Sequence, residues 1–383
     1  MELLKAMAAD DYEQVIVMQN SATGLRGFIV IHDTNRGPAF GGVRIRAYAN
    51  ESEALEDGLR LARAMTYKAA LAELPCGGGK AVIMEHAEMD RDEVFEAFGA
   101  VVESLRGRFF TARDVGIRDE DLAAIGRATS HVAIEPSAAL GDVSEHTALG
   151  VWKGMRACLE SAGIARPRVA VQGVGSVGMH LARILNREGA ELILADADAG
   201  RAAGAAKELG ARVSSPEEIL FAECDVVSPC ALGGVIHSEI VPRLRARIVC
   251  GCANNILATP EEGDALANRG ILYAPDYLVN AGGLIRGVEF FLQGRSESRG
   301  SISKIYQRMK RVMELARERG ISTARAADEL AEQRWKRPAE RPKKFRELPW
   351  SAPAWRKPAE PETGRLAQAG RFFRPPREQL IKQ

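Results

Sequence analysis

The chain has 383 residues, which excludes a single small domain and leaves room for two domains with cores of their own. Its 52 Lys and Arg against 51 Asp and Glu, with 46% hydrophobic and 27% charged residues, are the balance of a globular protein and point to no nucleic-acid or membrane partner. No apolar run is long enough to cross a bilayer, and the first residues reach Asp10, Asp11 and Glu13 without the stretch a signal peptide needs, so a cytoplasmic protein is expected. The six cysteines, Cys76, Cys158, Cys224, Cys230, Cys250 and Cys252, form no CxxC pair and read as reduced thiols, and no metal site is expected.

In chain order, residues 25–32 and 80–84 are short β-branched runs that predict strands. Three glycines, Gly77 to Gly79, precede the second run and suggest a loop that something approaches closely. Residues 90–105 open on a capping Asp90 and repeat Val94, Phe95, Phe98, Val101, Val102 and Leu105 at helical spacing. After Ser144 the alternation is regular: a helix to residue 161, a strand at 168–171, a helix at 176–188, a strand at 191–195 and a helix to 209. Short strands at 225–228, 247–251 and 271–274 follow, then helices at 303–319 and 323–332. Repeated β-α-β order predicts a doubly wound parallel sheet. The last 50 residues differ from the rest: they carry 14 Lys and Arg against five Glu, with eight of the 17 prolines and three of the four tryptophans. That mixture predicts a basic, disordered tail over 334–383, or an arm that docks on an acidic neighbouring surface.

Gly173-Val174-Gly175-Ser176-Val177-Gly178 directly follows a strand and opens a helix, the context that makes such a run a dinucleotide fingerprint. Gly173 allows the tight turn, Gly175 lets backbone approach a pyrophosphate, Gly178 lets helix and strand pack closely, and Ser176 and Val177 begin the helix whose N-terminus faces the phosphates. Asp196, at the end of the next strand, can accept hydrogen bonds from an adenosine ribose and repel a 2′-phosphate, which favours NAD over NADP unless Arg201 compensates. The bland alternative is a glycine turn with no nucleotide.

Lys68 and Lys80 flank the glycine triplet, and a buried lysine has its pKa lowered towards neutrality, which makes it a general acid and base. As plain surface lysines they would do nothing. Asp114 follows the predicted strand at 107–112, where an Asp is as readily a turn former.

The order of IHDTNRGPAFGG (31–42), MTYKAA (65–70), LPCGGGKAVI (74–83), GRFFTARDVG (107–116), VAVQGVGSVG (169–178), VVSPCALGG (226–234), CGCANN (250–255) and YAPDYLVNAGG (273–283) resembles the Glu/Leu/Phe/Val amino acid dehydrogenases, with the leucine and tryptophan branches nearest. The resemblance runs from about Val15 to about Arg334 and leaves the tail without counterpart. It implies an α/β fold of two parts: an N-terminal substrate and oligomerisation domain, 1–143, completed by helices of about 281–333, and a Rossmann NAD-binding domain at 144–280. It implies NAD-dependent oxidative deamination of an apolar L-amino acid to the 2-oxo acid and ammonia by a homo-oligomer. Lys80 would be the catalytic base, Asp114 its assistant in proton transfer, and Lys68 the partner of the substrate carboxylate. Gly41 and Gly42 would let substrate lie against backbone, and Asn255 and Asn280 would offer amide contacts to the nicotinamide ribose or substrate. Phe40 stands where glutamate-specific relatives have a lysine, which argues against glutamate, because a buried acid there would lack a counter-charge. Ala112, Leu284 and Gly287 match other pocket positions; Gly287 should enlarge the pocket while Phe40 reduces it.

Three departures qualify the resemblance. Val143 and Glu145 replace prolines expected in the 141–147 segment at the interdomain crossing, with His146 either starting a helix or touching ligand. Arg286 stands in place of an Asn and could bind an acidic substrate group. Cys76, beside the glycines, suggests sensitivity to thiol reagents. Two rival readings follow: a relative adapted to an unusual 2-oxo acid in biosynthesis, or a non-catalytic NAD-binding regulatory subunit.

Overall fold

A computed structural model describes residues 2–133, 140 and 142–336; the predicted tail from residue 337 onward lies outside the described residues. After a short helix α1 (Leu3–Ala9), strands β1 (Gln14–Asn20), β2 (Leu25–Asp33), β3 (Ala39–Arg46), β4 (Gly77–Met84) and β5 (Phe109–Arg113) form one sheet in the order β1-β2-β4-β3-β5. The β1-β2-β4 side is antiparallel, and β4, β3 and β5 run parallel. Strand alternation sends Ile29, Ile31 and Ile83 to one face and Val30 and Val82 to the other. The first face packs under α3 (Arg91–Ser104) and α4 (Asp119–Ala128), through Phe95, Phe98 and Ile125. The second face packs under α2 (Glu51–Leu71), whose start is capped by Asn50 accepting from the Glu53 N–H and by acidic residues in the first turn.

The glycine triplet is not a loop ahead of a strand. Gly77, Gly78 and Gly79 are the first three residues of β4, and what approaches them is the protein itself. A Cβ on Gly77 would stand 1.8 Å from the Asp33 carbonyl, and one on Gly78 2.1 Å from the Thr66 N. Gly78 therefore seats the C-terminal half of α2 directly on the strand, which brings Lys68 and Lys80 into one neighbourhood, while Gly77 lies against the end of β2 and Gly79 against Phe109 and the Val30 carbonyl.

The second sheet is entirely parallel: β6 (Arg168–Gln172), β7 (Glu191–Ala195), β8 (Arg212–Val213), β9 (Val226–Pro229), β10 (Ile248–Val249) and β11 (Leu272–Tyr273) lie in the order β11-β10-β9-β6-β7-β8. The order reverses between β6 and β9, and such a switch point leaves a crevice at the carboxyl ends of the strands. Helix α5 (Val143–Ser161) enters the sheet from the first one; α6 (Ser176–Arg187) and α7 (Ala199–Leu209) link β6, β7 and β8, and α8 (Glu261–Asn268) precedes β11. Val143 is the first residue of α5 and Glu145 lies in its first turn, where proline and non-proline residues are equally tolerated, so the departure at these positions leaves the helix start intact. Asp142 caps it, and Glu145 pairs with Arg299 at 2.6 Å.

From β11 the chain turns through α9 (Asp276–Val279) and α10 (Gly282–Gln293), then α11 (Arg299–Ser303), α12 (Ile305–Arg319) and α13 (Thr323–Trp335). The last helix returns to α2, with Tyr67 OH donating to Glu332 at 2.9 Å and Arg334 donating to the Leu71 carbonyl. Arg334 and Trp335, taken from sequence as the first residues of the tail, thus belong to the body. Trp335 is 4% exposed and packs edge-on against His32, so burial of its indole helps to hold the last helix on the body.

Candidate active site

Between the two sheets lies a cavity of ≈ 380 Å³ walled by residues of both. Phe40, Gly41, Gly42 and Arg44 come from β3, Lys68 and Met65 from α2, Lys80 from β4, and Ala112, Arg113 and Asp114 from the end of β5. Facing them are Val177 of α6, Asn254 and Asn255 after β10, Asp276 and Tyr277 of α9, Asn280, and Leu284, Gly287 and Phe291 of α10.

Lys80 is 5% exposed, and its Nζ lies 2.6 Å from Asp114 Oδ2. Burial lowers its pKa, opposed by the Asp114 carboxylate. Burial pushes Asp114 the other way, but Lys80 and Arg44 overrule it and hold the carboxyl below its usual range. Lys68 donates to Asn254 Oδ1 at 3.2 Å. Desolvation brings it down to about 8, against the pull of Asp276. Two lysines of weakened charge hold face the same space, one with a fixed carboxylate partner and one with only a neutral amide at hydrogen-bond distance.

The amide side of the cavity is built by Asp276, whose burial raises its pKa. Its Oδ1 accepts from Tyr273 OH at 2.7 Å and its Oδ2 from the Asn255 N–H. That second bond fixes Asn255 at φ 54°, a left-handed conformation that costs a non-glycine residue energy and that Asn tolerates better than most. Asn280 donates to Asn254 Oδ1 at 2.9 Å, while its own Oδ1 is buried without a partner. A buried acceptor left open in a cleft wall is a place for a ligand donor.

Gly41 and Gly42 line the cavity, yet their missing side chains serve the sheet. A Cβ on Gly41 would meet the Gly79 carbonyl at 1.8 Å, and one on Gly42 would stand 2.8 Å from Arg113 O and Asp114 Cβ. They are glycines because β3 must lie close to β4 and to the turn that carries Asp114. Phe40 stacks on Phe110, with ring centroids 6.0 Å apart. Its ring edge is 3.8 to 3.9 Å from where a Gly287 Cβ would be, so Phe40 occupies the room that Gly287 opens and the two opposing sequence effects fall on one spot. With Ala112, Leu284 and Phe291 they form an apolar wall.

The dinucleotide turn sits at the switch point. Gly173 has φ 97°, which requires glycine, and a Cβ on Gly178 would stand 2.0 Å from the Gly173 carbonyl. Gly175 has nothing within 4 Å of a Cβ, so the space above the N-terminus of α6 is open, as a pyrophosphate requires. Ser176 and Val177 follow it in the first turn, Val177 reaching the cavity. Asp196 Oδ2 accepts from the Val174 N–H at 2.9 Å, and Arg201 lies 3.2 Å from its Oδ1. Arg201 also faces Asp198, so it meets two carboxylates and is not a free cation awaiting a 2′-phosphate. The donors, the open glycine and the ribose-facing carboxylate fit NAD.

Two expectations fail, and for His146 the first of two alternatives fits. Arg286 is 2% exposed and donates to the carbonyls of Leu140 at 2.8 Å and Arg295 at 2.9 Å; it holds backbone beside the cavity and is not among the wall residues, so it offers no site for an acidic substrate group. The Cys76 thiol is 1% exposed and pushed by burial up to about 12, so the predicted thiol-reagent sensitivity has no basis there. His146 is a helix-start residue, its Nδ1 2.9 Å from the Asp142 carbonyl. Conversely, Asn254, Asp276, Arg44 and Phe291 were missed. Phe291 was detectable, being four residues after Gly287 on the same helical face; Arg44 was not, because its partners are far along the chain.

Models of known families match most of this architecture. The Glu/Leu/Phe/Val dehydrogenase dimerisation domain matches residues 12–131, and the Glutamate/Leucine/Phenylalanine/Valine dehydrogenase model matches residues 194–335. Leucine dehydrogenase of Geobacillus stearothermophilus is 44% identical over 342 residues, spanning 87% of this chain and 93% of that protein. L-tryptophan dehydrogenase of Nostoc punctiforme is 40% identical over 341 residues, spanning 87% and 96%. The crystal structure of L-tryptophan dehydrogenase from Nostoc punctiforme aligns with a TM-score of 0.77 at 39% identity, covering 87% of this chain and 98% of the other.

Proposed function

Since this chain belongs to the Glu/Leu/Phe/Val dehydrogenase family, and its reaction is the NAD-dependent oxidative deamination of an apolar L-amino acid, we propose that Lys80 is the general base, Asp114 its proton-transfer partner and Lys68 the carboxylate clamp. The observation that carries this reading is the 2.6 Å contact of Lys80 with Asp114 inside a cavity that Lys68 also faces. Gly173, Gly175, Ser176, Val177, Gly178 and Asp196 hold NAD, with Asn255 and Asn280 on its nicotinamide side. Bound NAD supplies the hydride acceptor.

Lys68 Nζ takes the substrate carboxylate, and the mutual attraction holds the lysine in its charged form, which desolvation disfavours. Phe40, Ala112, Leu284 and Gly287 receive an apolar side chain and exclude water from it. Lys80, neutral, takes a proton from the water that adds to the substrate iminium, returns it to the nitrogen that leaves as ammonia, and takes the hydroxyl proton as the carbonyl of the 2-oxo acid forms. Asp114 stabilises the lysinium formed at each uptake and stays ionised throughout. A base that must both take and give a proton works best near the ambient pH, and burial moves Lys80 in that direction.

The test is NADH production at alkaline pH with leucine, valine, phenylalanine and tryptophan, for the wild type and Lys80→Ala. A loss of kcat of about 10²–10⁴ in the variant is expected for removal of a general base. Turnover undiminished in Lys80→Ala would overturn the assignment. The rival of an unusual 2-oxo acid drew on the altered 141–147 segment and on Arg286; Val143 and Glu145 fit the first turn of a capped helix, and Arg286 Nε and Nη1 donate to backbone carbonyls. The chain is further proposed to act as a homo-oligomer in the cytoplasm. The match of residues 12–131 to a dimerisation domain supports assembly, as does edge strand β1, where Val17 is 68% exposed. No described helix is long and apolar enough to cross a membrane.

A further inference from the structure

Behind the Lys80–Asp114 contact runs a line of charges that the reaction as written does not use. Asp114 Oδ2, the same oxygen that meets Lys80 Nζ at 2.6 Å, also accepts from Arg44 Nε at 2.9 Å. Arg44 Nη1 reaches on to Asp57 Oδ2 at 3.0 Å, and that oxygen accepts from Tyr48 OH at 2.9 Å. Asp57 Oδ1 is held by Arg60 at 2.8 Å. The side chains of Arg44, Asp57 and Asp114 are 14%, 10% and 17% exposed, so the line is shielded from bulk water and feels little screening.

We propose that Arg44, held from behind by Asp57, is a positioning residue for proton transfer: it shares Asp114 with Lys80 and so loosens that carboxylate's hold on the lysine proton. The inference rests on the reading of Lys80 as the base. A buried lysine paired with a carboxylate of its own is an ion pair, and the attraction favours keeping the proton. A second cation on the same carboxylate oxygen competes for its charge and repels the lysinium, so release becomes easier while Asp114 stays ionised and in place. Arginine suits this role because it stays charged at every working pH and its planar fork reaches two carboxylates at once. Asp114 and Asp57 raise the Arg44 pKa above its usual value despite burial, so it is a permanent charge. Burial lowers the pKa of Lys80, and Arg44 adds to that lowering where Asp114 and Asp57 oppose it. The charged groups facing Lys80 are Asp114 at the end of β5, Arg44 on β3, and Asp57 and Lys68 on α2, with Asp276 on α9 beyond Lys68; β2 sets the neutral Val30 opposite.

The experiment measures kcat and kcat/KM for leucine against pH in the wild type, Arg44→Met, Arg44→Lys and Lys80→Ala, with folding checked by thermal melting. In Arg44→Met the acid limb of the kcat/KM profile should move to higher pH by about one unit, with the rate recovering as pH rises. KM for leucine at the recovered plateau should change little, because the carboxylate clamp is elsewhere. Arg44→Lys keeps the charge but offers one compact donor in place of a fork, and should shift the limb less. If Arg44→Met does not fold, a millimolar guanidinium supplement to Arg44→Ala, against an equal concentration of KCl, carries the same test, with rescue expected for guanidinium alone. Folded Arg44→Met with a wild-type acid limb would overturn the proposal, as would an Arg44→Lys limb shifted further than that of Arg44→Met, or an Arg44→Ala rate insensitive to guanidinium. Full turnover in Lys80→Ala would instead strike the base assignment beneath it.

Discussion

The substrate side of the cleft and the cofactor side are prepared in opposite ways. Around Lys80 the preparation lies in charge: a lysine, two aspartates and an arginine are buried together, and each is held by the next. Around Gly173 it lies in backbone: the turn offers N–H groups and open space, and in its nearest ion pair, Asp196 with Arg201, the cation is half exposed to water. A group that must change its protonation needs fixed charges and little water, whereas a pyrophosphate needs donors that do not have to move. Substitutions on the two sides should therefore fail differently, the first in rate and pH profile, the second in cofactor affinity or folding.

The largest expected effect is on the charged side. Asp114→Asn should lower kcat by about 10²-fold or more, the scale of a lost proton-transfer partner. Its residual activity sharpens the comparison, because removing the carboxylate removes what favours the charged form of Lys80. The acid limb should then move to lower pH, opposite in sign to the shift expected for Arg44→Met. A pH profile of kcat/KM for the two variants side by side decides the matter; shifts of the same sign would mean that Asp114 and Arg44 act on Lys80 only by holding the local fold.

On the backbone side two glycines of one turn should separate. Gly178→Ala puts a methyl 2.0 Å from the Gly173 carbonyl, so strand and helix must part, and the melting temperature should fall together with NAD affinity. Gly175→Ala meets no protein atom within 4 Å, so the fold should melt as before while NAD binding weakens by about tenfold, a cost of about 1.4 kcal/mol. Titration of NAD by fluorescence and a melting curve for each variant measure both quantities. Equal melting losses would show that the space over Gly175 is not a ligand space.

The same contrast explains what the chain disclosed before it was folded. The dinucleotide turn is contiguous, Gly173 to Gly178 between a strand and a helix, so its geometry follows from six neighbouring residues and was legible in full. The Rossmann alternation was legible where β6 and β7 are short apolar runs, each followed by a helix of clear period, whereas the two-residue β8 carries no such run and went unread. The chemical site draws on β3, α2, β4, β5, α9 and α10, and only the motifs around Lys68, Lys80 and Asp114 marked it. Arg44 and Asp57 read as ordinary charged residues on a strand and a helix, since nothing local says that they meet. The glycine triplet misled for a related reason: glycines seen in one dimension suggest a loop, while here they stand inside a strand and make room for the end of β2, for α2 and for Phe109. Arg286 misled as well, because an unusual charge beside a pocket looks functional until its backbone carbonyl partners are known.

The smallest expected effect is on stability and concerns Lys68, the clamp whose charge is held in the empty cleft at a desolvation cost. Its pKa falls from 10.5 to about 8 on folding, because burial disfavours the charged form. Below about 8 the lysine is protonated in folded and unfolded chains alike, and the folded state bears the whole desolvation cost. Between about 8 and 10.5 the unfolded chain binds more protons than the folded one, so the stability of the wild type rises with pH across that window. Lys68→Met has no such dependence at this position. The variant should therefore melt higher than the wild type at pH 7, by about 1–2 °C if the cost is about 1 kcal/mol in a chain of this size, and the gap should close as pH approaches 10.5. Melting curves of both proteins without substrate, from pH 7 to 10.5, test it. A constant gap would mean that Lys68 is solvated in the free enzyme, in which case the clamp is a surface cation and the desolvation that sets its charge arrives only with the substrate.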